Sequence, residues 1–337
     1  MKEAYLYERV EEEKTRCKLC SHRCLIADGK RGICGVRENR SGTLFSLVYE
    51  KVIARNIDPI EKKPLFHFLP ATRSYSIATA GCNFRCKFCQ NSDISQMPAD
   101  RKIIDGISMR PGAIVEEAYE NRCASISYTY TEPTVFFELA LDTARIASSK
   151  GIKNVFVSNG YMTAECLEEI GGDLHAANVD LKAFSDRFYK EQCGARLKPV
   201  LATLENMKQR EVWLEVTTLL IPGLNDSPEE LKSLARFLAA LDPYIPWHIS
   251  RFHPRYKLTN IDSTPAQTVR KARDIGYGEG LKYVYTGNLP GDDGEKTYCH
   301  GCGELLIDRT GFYVNKNSIS SGKCPGCGKE IPGIWTA

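Results

Sequence analysis

Three closely spaced cysteines are the strongest chemical signal in this 337-residue chain. Cys82, Cys86 and Cys89 stand in the run Gly-Cys-Asn-Phe-Arg-Cys-Lys-Phe-Cys-Gln-Asn, and the next cysteine is Cys123. Three thiolates at this C-x3-C-x2-C spacing can hold three irons of a cubane 4Fe–4S cluster, whereas an ordinary electron-transfer cluster takes four cysteines. The fourth iron would then be open to a ligand from outside the protein. The alternative is a zinc knuckle with a fourth ligand from elsewhere, but zinc sites usually come as C-x2-C pairs.

Two such pairs lie near the C-terminus. Cys299 and Cys302 form one C-x2-C pair, Cys324 and Cys327 form the other, and a glycine follows each pair. This pattern is typical of a zinc ribbon or a rubredoxin-like hairpin with four thiolate ligands. We therefore predict a tetrathiolate metal site, for which zinc is favoured and iron stays open.

A third group of cysteines lies near the N-terminus. Cys17, Cys20, Cys24 and Cys34 fall within eighteen residues and open with a C-x2-C pair. A fully ligated metal can hold such a segment together with little apolar core, so zinc is the first choice. A second iron–sulfur cluster is the alternative. Residues 1–16, which are rich in charge, are predicted to form a short helix or a frayed segment.

Composition narrows the class of protein. The formal net charge is +3, and no basic stripe with interleaved aromatic residues points to nucleic acid. The charged N-terminus lacks the apolar core of a signal peptide, and no apolar run is long enough to span a bilayer. We therefore expect a cytoplasmic protein that binds neither nucleic acid nor membrane. In that compartment the fourteen cysteines indicate metal ligands rather than disulfides.

From residue 75 onward, strand patterns alternate with helix patterns. Predicted strands cover residues 75–79, 124–130, 152–158, 177–181, 212–220, 248–252 and 282–285, and predicted helices cover residues 111–122, 134–150, 163–170, 197–209, 228–241 and 265–275. Such alternation indicates parallel strands with helical crossovers, here a partial α/β barrel of six or more strands. Active groups should gather at the carboxyl ends of the strands. Residues 58–70 contain three prolines and are predicted to be irregular, either as a surface linker or as a cover over the cluster.

Five polar residues follow or end the predicted strands, namely Glu132, Asn159, Asp180, Lys182 and His253. Glu132 can bind an ammonium group, although it also suits the first turn of a helix. Asn159 can hydrogen-bond a hydroxyl or carboxylate, or simply occupy a turn. Asp180 and Lys182 share one strand face, where they must pair with each other or with a ligand. His253 is a candidate only because of its position at a strand end.

The cysteine loop, with Phe88 before its last cysteine, resembles the signature of the radical SAM superfamily. Further matches are residues 58–65, Thr131-Glu132-Pro133, Asp180-Leu181-Lys182 and residues 222–226. Together they resemble pyruvate formate-lyase activating enzyme and its relatives, and most of all the AmmeMemoRadiSam system radical SAM enzyme. Relatives of that enzyme show the same module at residues 17–34, followed by Gly-Val-Arg-Glu-Asn. The resemblance covers residues 15–290.

Two departures from the family pattern are visible. Tyr130 and Thr131 replace the two glycines of the family's Gly-Gly-Glu element, which binds the amino group of methionine. The ferredoxin-like cluster insert of some glycyl-radical activases, expected soon after the cysteine loop, is absent.

The resemblance implies a radical SAM enzyme of the oxidoreductase type. S-adenosylmethionine (SAM) would chelate the open iron. One electron from the 4Fe–4S cluster would then cleave SAM to methionine and a 5′-deoxyadenosyl radical that abstracts hydrogen. The predicted SAM contacts are Glu132, Asn159, Asp180, Lys182 and His253. Lys182 would bind the methionine carboxylate, and Asp180 would orient Lys182 or bind a ribose hydroxyl. The predicted architecture is a partial (β/α)6-type barrel at residues 71–290. A cysteine-rich module and linker precede it at residues 1–70, and a zinc-ribbon-like or rubredoxin-like module follows at 291–337.

The substrate stays open. One alternative is a glycyl-radical enzyme activase that acts on a glycine of a partner protein. Another is a small molecule or peptide handled with Memo-like and AMMECR-like partners, which the family name implies. Either enzyme would need an electron donor such as flavodoxin or ferredoxin. A non-catalytic metal-binding scaffold is the third alternative.

Overall fold

A sheet of eight strands with helices between them is the centre of the fold. The structure is a computed structural model that describes residues 1–336. Its strands are β1 (Lys2–Glu3), β2 (Tyr7–Arg9), β3 (Thr15–Cys17), β4 (Leu25–Ile26), β5 (Arg37–Arg40), β6 (Thr43–Ser46), β7 (Lys51–Val52), β8 (Ala54–Pro59), β9 (Arg73–Ala78), β10 (Ile107–Ser108), β11 (Ser125–Tyr128), β12 (Lys153–Ser158), β13 (Ala176–Asp180), β14 (Trp213–Leu220), β15 (Trp247–Arg251), β16 (Val284–Gly287), β17 (Thr297–Tyr298), β18 (Leu305–Thr310) and β19 (Tyr313–Asn317). Its α-helices are α1 (Ser92–Ser95), α2 (Met97–Asp100), α3 (Pro111–Glu120), α4 (Phe137–Ser149), α5 (Ala164–Ile170), α6 (Asp186–Phe188), α7 (Leu197–Gln209), α8 (Pro228–Leu241) and α9 (Ala266–Gly278).

The central sheet has the order β16-β15-β14-β13-β12-β11-β9-β8. Strand β9 and strands β11 to β16 are mutually parallel, and β8 pairs antiparallel with β9 at one edge. Each of the seven predicted strands between residues 75 and 285 overlaps one parallel strand, and each predicted helix overlaps an observed one. The predicted α/β fold with parallel strands is therefore confirmed.

The two faces of the sheet differ in chemistry. On β13, Val179 faces the helical layer. A Cβ added at Gly160 would contact both Cγ1 of Val179 and the side chain of Val200 of α7, so these two valines lie on the same side of the sheet. Asn178 and Asp180 point to the other face, because side chains alternate along a strand. That face is lined with polar groups, and its carboxyl-terminal edge is where the candidate residues of the sequence gather.

The prediction for residues 1–16 is wrong. These residues form three short strands instead of a helix, and β2 pairs with β3 so that Tyr7 lies opposite Cys17. In β3 the buried residues Thr15 and Cys17 alternate with the half-buried Arg16, which is the pattern of a strand with one covered face. The pairing of β2 with β3, which ends at Cys17, thus outweighs the preference of this charged segment for a helix.

The surface-linker interpretation of residues 58–70 is also wrong. Phe68 and His67 are fully buried. The backbone N–H groups of Phe66 and His67 donate to the carboxylate of Glu215 at 3.0 and 2.8 Å. Glu215 lies in the first half of β14, so the segment fills the amino-terminal end of the sheet, opposite the end that carries the cysteine loop. It therefore does not cover the cluster loop either.

The C-terminal strands β17, β18 and β19 form a separate small sheet that packs on this buried segment. Arg309 of β18 donates through Nη2 to the Phe66 carbonyl at 2.7 Å, and its guanidinium lies 4.3 Å from the centre of the Phe66 ring. The Leu69 N–H donates to the Ile334 carbonyl at 2.7 Å. Among residues 1–336, no helix has the length and apolar character needed to cross a membrane.

Candidate iron–sulfur and cofactor site

The cysteine loop follows β9 at the carboxyl-terminal edge of the sheet. Gly81 introduces it with a φ of +104°, a backbone conformation that favours glycine. A Cβ at Gly81 would lie 2.7 Å from Cγ1 of Val36 in the N-terminal module. Glycine is therefore needed for the loop to approach that module. Cys86 is buried, and Cys82 and Cys89 are half-buried.

A short π-helix, Tyr189–Cys193, holds the middle of the loop. The N–H of Arg85 donates to the Cys193 carbonyl at 2.8 Å, and the N–H of Lys87 donates to the Gln192 carbonyl at 3.0 Å. Turns of π-helix are rare and are frequent at functional sites. Here the π-helix fixes the backbone on both sides of Cys86.

The thiol of Cys193 contacts the thiol of Cys86, and both side chains are buried. Burial and the neighbouring Cys86 raise the pKa of the Cys193 thiol well above its usual value. Cys193 is buried as a packing residue would be. Its contact with the loop does not show in the sequence, because more than one hundred residues separate the two cysteines in the chain.

Asn159, at the end of β12, is joined directly to the cysteine loop. Its Nδ2 donates to Oδ1 of Asn83 at 2.7 Å and lies 3.8 Å from the Cys82 sulfur. Its Oδ1 accepts the N–H of Tyr161 at 3.1 Å. Asn159 is 5% exposed, so it is a buried side chain held in one orientation beside the first cysteine.

Glu132 is completely buried and accepts hydrogen bonds from its surroundings on both carboxylate oxygens. Oε1 accepts from the Thr134 N–H at 3.0 Å and from the Ser158 hydroxyl at 2.8 Å, and Oε2 accepts from the Asn159 N–H at 2.8 Å. Burial raises the pKa of the Glu132 carboxyl, and these bonds oppose that change. The carboxylate thus ties the end of β11 to the end of β12 and fixes the backbone of Asn159.

Asp180 and Lys182 form an ion pair at the end of β13, with 3.0 Å between Lys182 Nζ and Asp180 Oδ2. The Lys182 side chain is only 14% exposed, and its Nζ lies 5.8 Å from the centre of the Phe88 ring in the cysteine loop. Burial alone would lower the pKa of Lys182, but the Asp180 carboxylate together with the nearby sulfurs of Cys86 and Cys193 holds that pKa well above the usual value. Lys182 is therefore a positive charge beside the loop.

The turn at residues 222–226 contributes a side chain that supports this pair. Asn225 is buried; its Nδ2 donates to the carbonyl of Lys182 at 2.7 Å and its Oδ1 accepts the N–H of Ile221 at 2.7 Å. The Pro-Gly and Asn-Asp pairs of this segment are turn signals in the sequence. The link from Asn225 to Lys182 was missed, because it depends on the pairing of β13 with β14.

His253 is separate from the other candidates. It is exposed after β15, and its Nδ1 lies 2.9 Å from the Ser263 hydroxyl. Among the described residues no hydrogen bond joins it to the cysteine loop or to Glu132, Asn159 or Lys182.

The two remaining cysteine groups differ in geometry. Cys299, Cys302, Cys324 and Cys327 place all four sulfurs within 4.8 Å of one another. The predicted grouping of these four cysteines is therefore confirmed, and the metal stays a prediction. Cys17, Cys20, Cys24 and Cys34 line one cavity next to the cysteine loop, together with His22 and Asn83.

Asn83, in the loop, was not singled out from the sequence, and Tyr130 was noted there only as a departure from the family pattern. Asn83 is fully buried between Asn159 and His22, whose Nε2 lies 2.9 Å from the Asn83 carbonyl. Tyr130, which replaces a family glycine, has a φ of +61°, in the left-handed region that favours glycine.

Comparisons with known proteins agree with this geometry. Residues 76–238 match the family described as Radical SAM superfamily. An uncharacterized protein of Methanocaldococcus jannaschii is 46% identical over 334 residues, which cover 98% of this chain and 99% of that protein. The pyruvate formate-lyase-activating enzyme of Clostridium pasteurianum is 22% identical over 57% of this chain and 84% of that enzyme.

A solved structure shows the same fold. A radical SAM methyltransferase from Sphaerobacter thermophilus superposes with a TM-score of 0.51 and 15% identity, over 65% of this chain and 67% of that chain. A parallel sheet with a three-cysteine loop after its first parallel strand defines a radical SAM fold. The chain belongs to the radical SAM superfamily, and its relatives include pyruvate formate-lyase activating enzymes. The likeness to the AmmeMemoRadiSam enzyme stays a prediction.

Proposed function

We propose that this protein is a radical SAM enzyme that cleaves SAM reductively and abstracts a hydrogen atom from its substrate. The observation that carries the proposal is the meeting of the three-cysteine loop with Asn159 and Lys182 at the carboxyl-terminal edge of the sheet. When bound, the 4Fe–4S cluster and SAM supply one-electron cleavage of SAM to a 5′-deoxyadenosyl radical.

The residues of the loop fit a cluster better than a single ion. In residues 1–336 the sulfurs of Cys82, Cys86 and Cys89 do not all lie within 4.8 Å of one another. A cubane holds each thiolate on a different iron, so its thiolates stand further apart than thiolates around one ion.

Lys182 and Asp180 are placed to bind the polar parts of SAM. The Lys182 ammonium suits the methionine carboxylate, and Asp180, which is more exposed, suits a ribose hydroxyl or holds Lys182 in place. A buried charge is costly without a partner, so the pair keeps Lys182 charged before SAM binds.

Asn159 and Glu132 have different tasks in this proposal. Asn159 keeps its side chain beside Cys82, where an amide can hydrogen-bond SAM. Glu132 has both oxygens occupied by neighbouring donors and no exposed surface. We therefore assign it the task of positioning Asn159, in place of the direct contact with the methionine ammonium that the sequence suggested. For His253, the only support for a contact with SAM is its position at the end of a strand.

The relatives favour a protein substrate and an external electron donor. An enzyme that activates pyruvate formate-lyase acts on another protein, and this supports a partner protein with a reactive glycine as the substrate here. Flavodoxin or ferredoxin is the proposed donor. A small molecule or peptide, with Memo-like and AMMECR-like partners, is the alternative implied by the family resemblance. In either case residues 71–290 would be the catalytic unit, flanked by modules at 1–70 and 291–337.

The test is anaerobic reconstitution with iron and sulfide, followed by dithionite, SAM and an assay for 5′-deoxyadenosine. We expect product from the wild-type protein and from Cys123→Ala, which removes a buried cysteine outside the three groups. The triple variant Cys82→Ala/Cys86→Ala/Cys89→Ala should give none. Equal product from the triple variant would disprove the site, and no product from any sample would favour the scaffold alternative.

A further inference from the structure

The N-terminal cysteines line a cavity whose wall also includes Asn83 of the cysteine loop. Cys17 ends β3, Cys20 and Cys24 lie in the turn before β4, and Cys34 lies before β5. All four line the same cavity. The module is anchored at the carboxyl-terminal edge of the sheet, since the Ser21 N–H donates to the Tyr161 carbonyl at 2.9 Å.

The spacing of these four sulfurs separates two kinds of metal site. Zinc bound by four thiolates has Zn–S distances of about 2.3 Å, which places the sulfurs about 3.8 Å apart in a tetrahedron. The C-terminal group meets this spacing, with 3.6 Å between Cys299 and Cys327 and 3.7 Å between Cys302 and Cys324. Among residues 1–336 it is the only group of three or more candidate ligands within 4.8 Å of one another.

The N-terminal group therefore resembles the cysteine loop and not the C-terminal group. Its four sulfurs share a cavity, yet no three of them come within the spacing of a single ion. The three sulfurs of the loop that the family assigns to a 4Fe–4S cluster likewise do not all lie within 4.8 Å of one another. The C-terminal group therefore serves as a comparison for a single-ion site, and the cysteine loop serves as a comparison for a cluster site.

Two buried side chains that line this cavity have donor nitrogens without acceptors. Arg37 is 2% exposed and lines the cavity, and its Nε has no hydrogen-bond partner. Its two terminal nitrogens are already used on the carboxylate of Glu138, at 3.0 and 2.8 Å. Asn83 also lines the cavity, and its buried Nδ2 has no acceptor. Buried donors are normally satisfied, so both indicate an absent acceptor group.

We propose that Cys17, Cys20, Cys24 and Cys34 bind a second iron–sulfur cluster, of the 4Fe–4S type. Its inorganic sulfides and thiolates would accept the hydrogen bonds that Arg37 and Asn83 leave unmade, and such bonds tune the reduction potential of a cluster. Because four cysteines hold all four irons, this cluster has no open iron for SAM and is suited to electron transfer.

Metal and sulfide analysis of the full-length chain tests this inference. The protein is reconstituted anaerobically with 57Fe, and iron, zinc and acid-labile sulfide are measured beside Mössbauer spectra. We expect about eight irons and eight sulfides per chain, two cubanes, whereas one cubane gives about four of each. A rubredoxin-like iron at the C-terminal site would add iron without sulfide, so the sulfide count decides.

Variants separate this cluster from the one in the loop. The triple variant Cys82→Ala/Cys86→Ala/Cys89→Ala should retain about half of the sulfide and give an EPR signal, after reduction, that SAM does not change. The double variant Cys20→Ser/Cys24→Ser should lose the other half and keep the SAM-sensitive signal. Cys123→Ala should keep both signals.

One result would overturn the inference. If the triple variant contains no sulfide and about two zinc ions per chain, the N-terminal site is a zinc site. That result leaves the proposed SAM chemistry intact, because the wild-type protein would still form 5′-deoxyadenosine. If the double variant fails to fold, the triple variant still decides the question.

Discussion

Cys193 is a protein sulfur beside the loop that is not one of its three proposed ligands, and its thiol touches that of Cys86. We predict that Cys193→Ala keeps the full iron and sulfide content of the loop cluster and its SAM-dependent EPR change. Cys86→Ala should lose the cluster. Loss of iron in Cys193→Ala, with an unchanged circular dichroism spectrum, would identify Cys193 as a fourth ligand and remove the open iron.

Lys182 tests how SAM is held. Lys182→Met keeps most of the side-chain volume but removes the charge and leaves Asp180 without its partner. We expect the dissociation constant for SAM to rise by about 10- to 100-fold, as for the loss of one charge-assisted hydrogen bond. Titration of the cluster-loaded, oxidised protein with SAM measures this change.

A matched control for Lys182→Met is Lys190→Met, which removes an exposed lysine paired with Asp186. Its SAM affinity should equal that of the wild-type protein. Equal affinity of Lys182→Met and Lys190→Met would exclude Lys182 as a SAM contact.

At this scale the sequence identified the groups with strong chemistry and missed those that depend on packing. The three cysteines, Asp180 and Lys182 could be found because their spacing places them together on one loop or one strand face. The contacts of Asn83 and Cys193 could not be found, because each reaches across the sheet to a residue more than seventy positions away.

Among the elements, the parallel strands and their helices were predictable because each has its own period and its own stop signals. Strand β13 is an example: Val179 and Asp180 alternate between an apolar and a polar face. The strands β1 to β3 were not predictable, since each is two or three residues long and depends on its partner strand. Residues 58–70 are covered by the C-terminal sheet, which no local pattern in those residues indicates.

His67 gives the buried segment a pH dependence. It is fully buried, its Nδ1–H donates to the Pro332 carbonyl at 2.8 Å, and its Nε2 accepts from the Tyr285 hydroxyl at 2.6 Å. Burial lowers the pKa of His67 to about 4, although Glu215 opposes this; Arg309 contributes to the lowering. Between pH 6.5 and pH 4 the unfolded chain therefore binds a proton that the folded protein does not bind.

The sign of the effect follows from this difference. The free energy of unfolding should fall as the pH is lowered from about 6.5 to 4, with roughly 3 kcal/mol due to His67. His67→Asn should be less stable at pH 7, because it loses a hydrogen bond, but should show a weaker pH dependence in anaerobic unfolding curves. His253→Asn, at an exposed histidine, should keep the wild-type pH dependence. Parallel curves for wild type and His67→Asn would contradict the assignment.

In the whole molecule the two flanking cysteine modules lie at opposite ends of the sheet. The N-terminal module contacts the cysteine loop through His22 and Asn83 at the carboxyl-terminal edge. The C-terminal module contacts Phe66 and Leu69 at the amino-terminal end. Their similar cysteine content therefore does not give them similar tasks, because only the N-terminal module adjoins the proposed chemistry.

This placement predicts that the C-terminal metal stabilises the fold without taking part in SAM cleavage. Cys302 and Cys327 are exposed, so the double variant Cys302→Ser/Cys327→Ser removes two metal ligands without creating an internal cavity. The loss of a structural metal should lower the melting temperature by about 5 °C or more, because binding free energy at such a site contributes to folding. The rate of 5′-deoxyadenosine formation per loop cluster should stay within about twofold of wild type.

Lys316→Ser is the control for this last prediction, since it changes an exposed side chain of β19 in the same small sheet. It should leave both the melting temperature and the bound metal unchanged. SAM cleavage must be measured below the lowered melting temperature, so that unfolding does not imitate a catalytic defect. If Cys302→Ser/Cys327→Ser stays folded with a full loop cluster and yet loses SAM cleavage, the C-terminal metal acts in electron supply, and its distance from the cysteine loop does not isolate it from the chemistry.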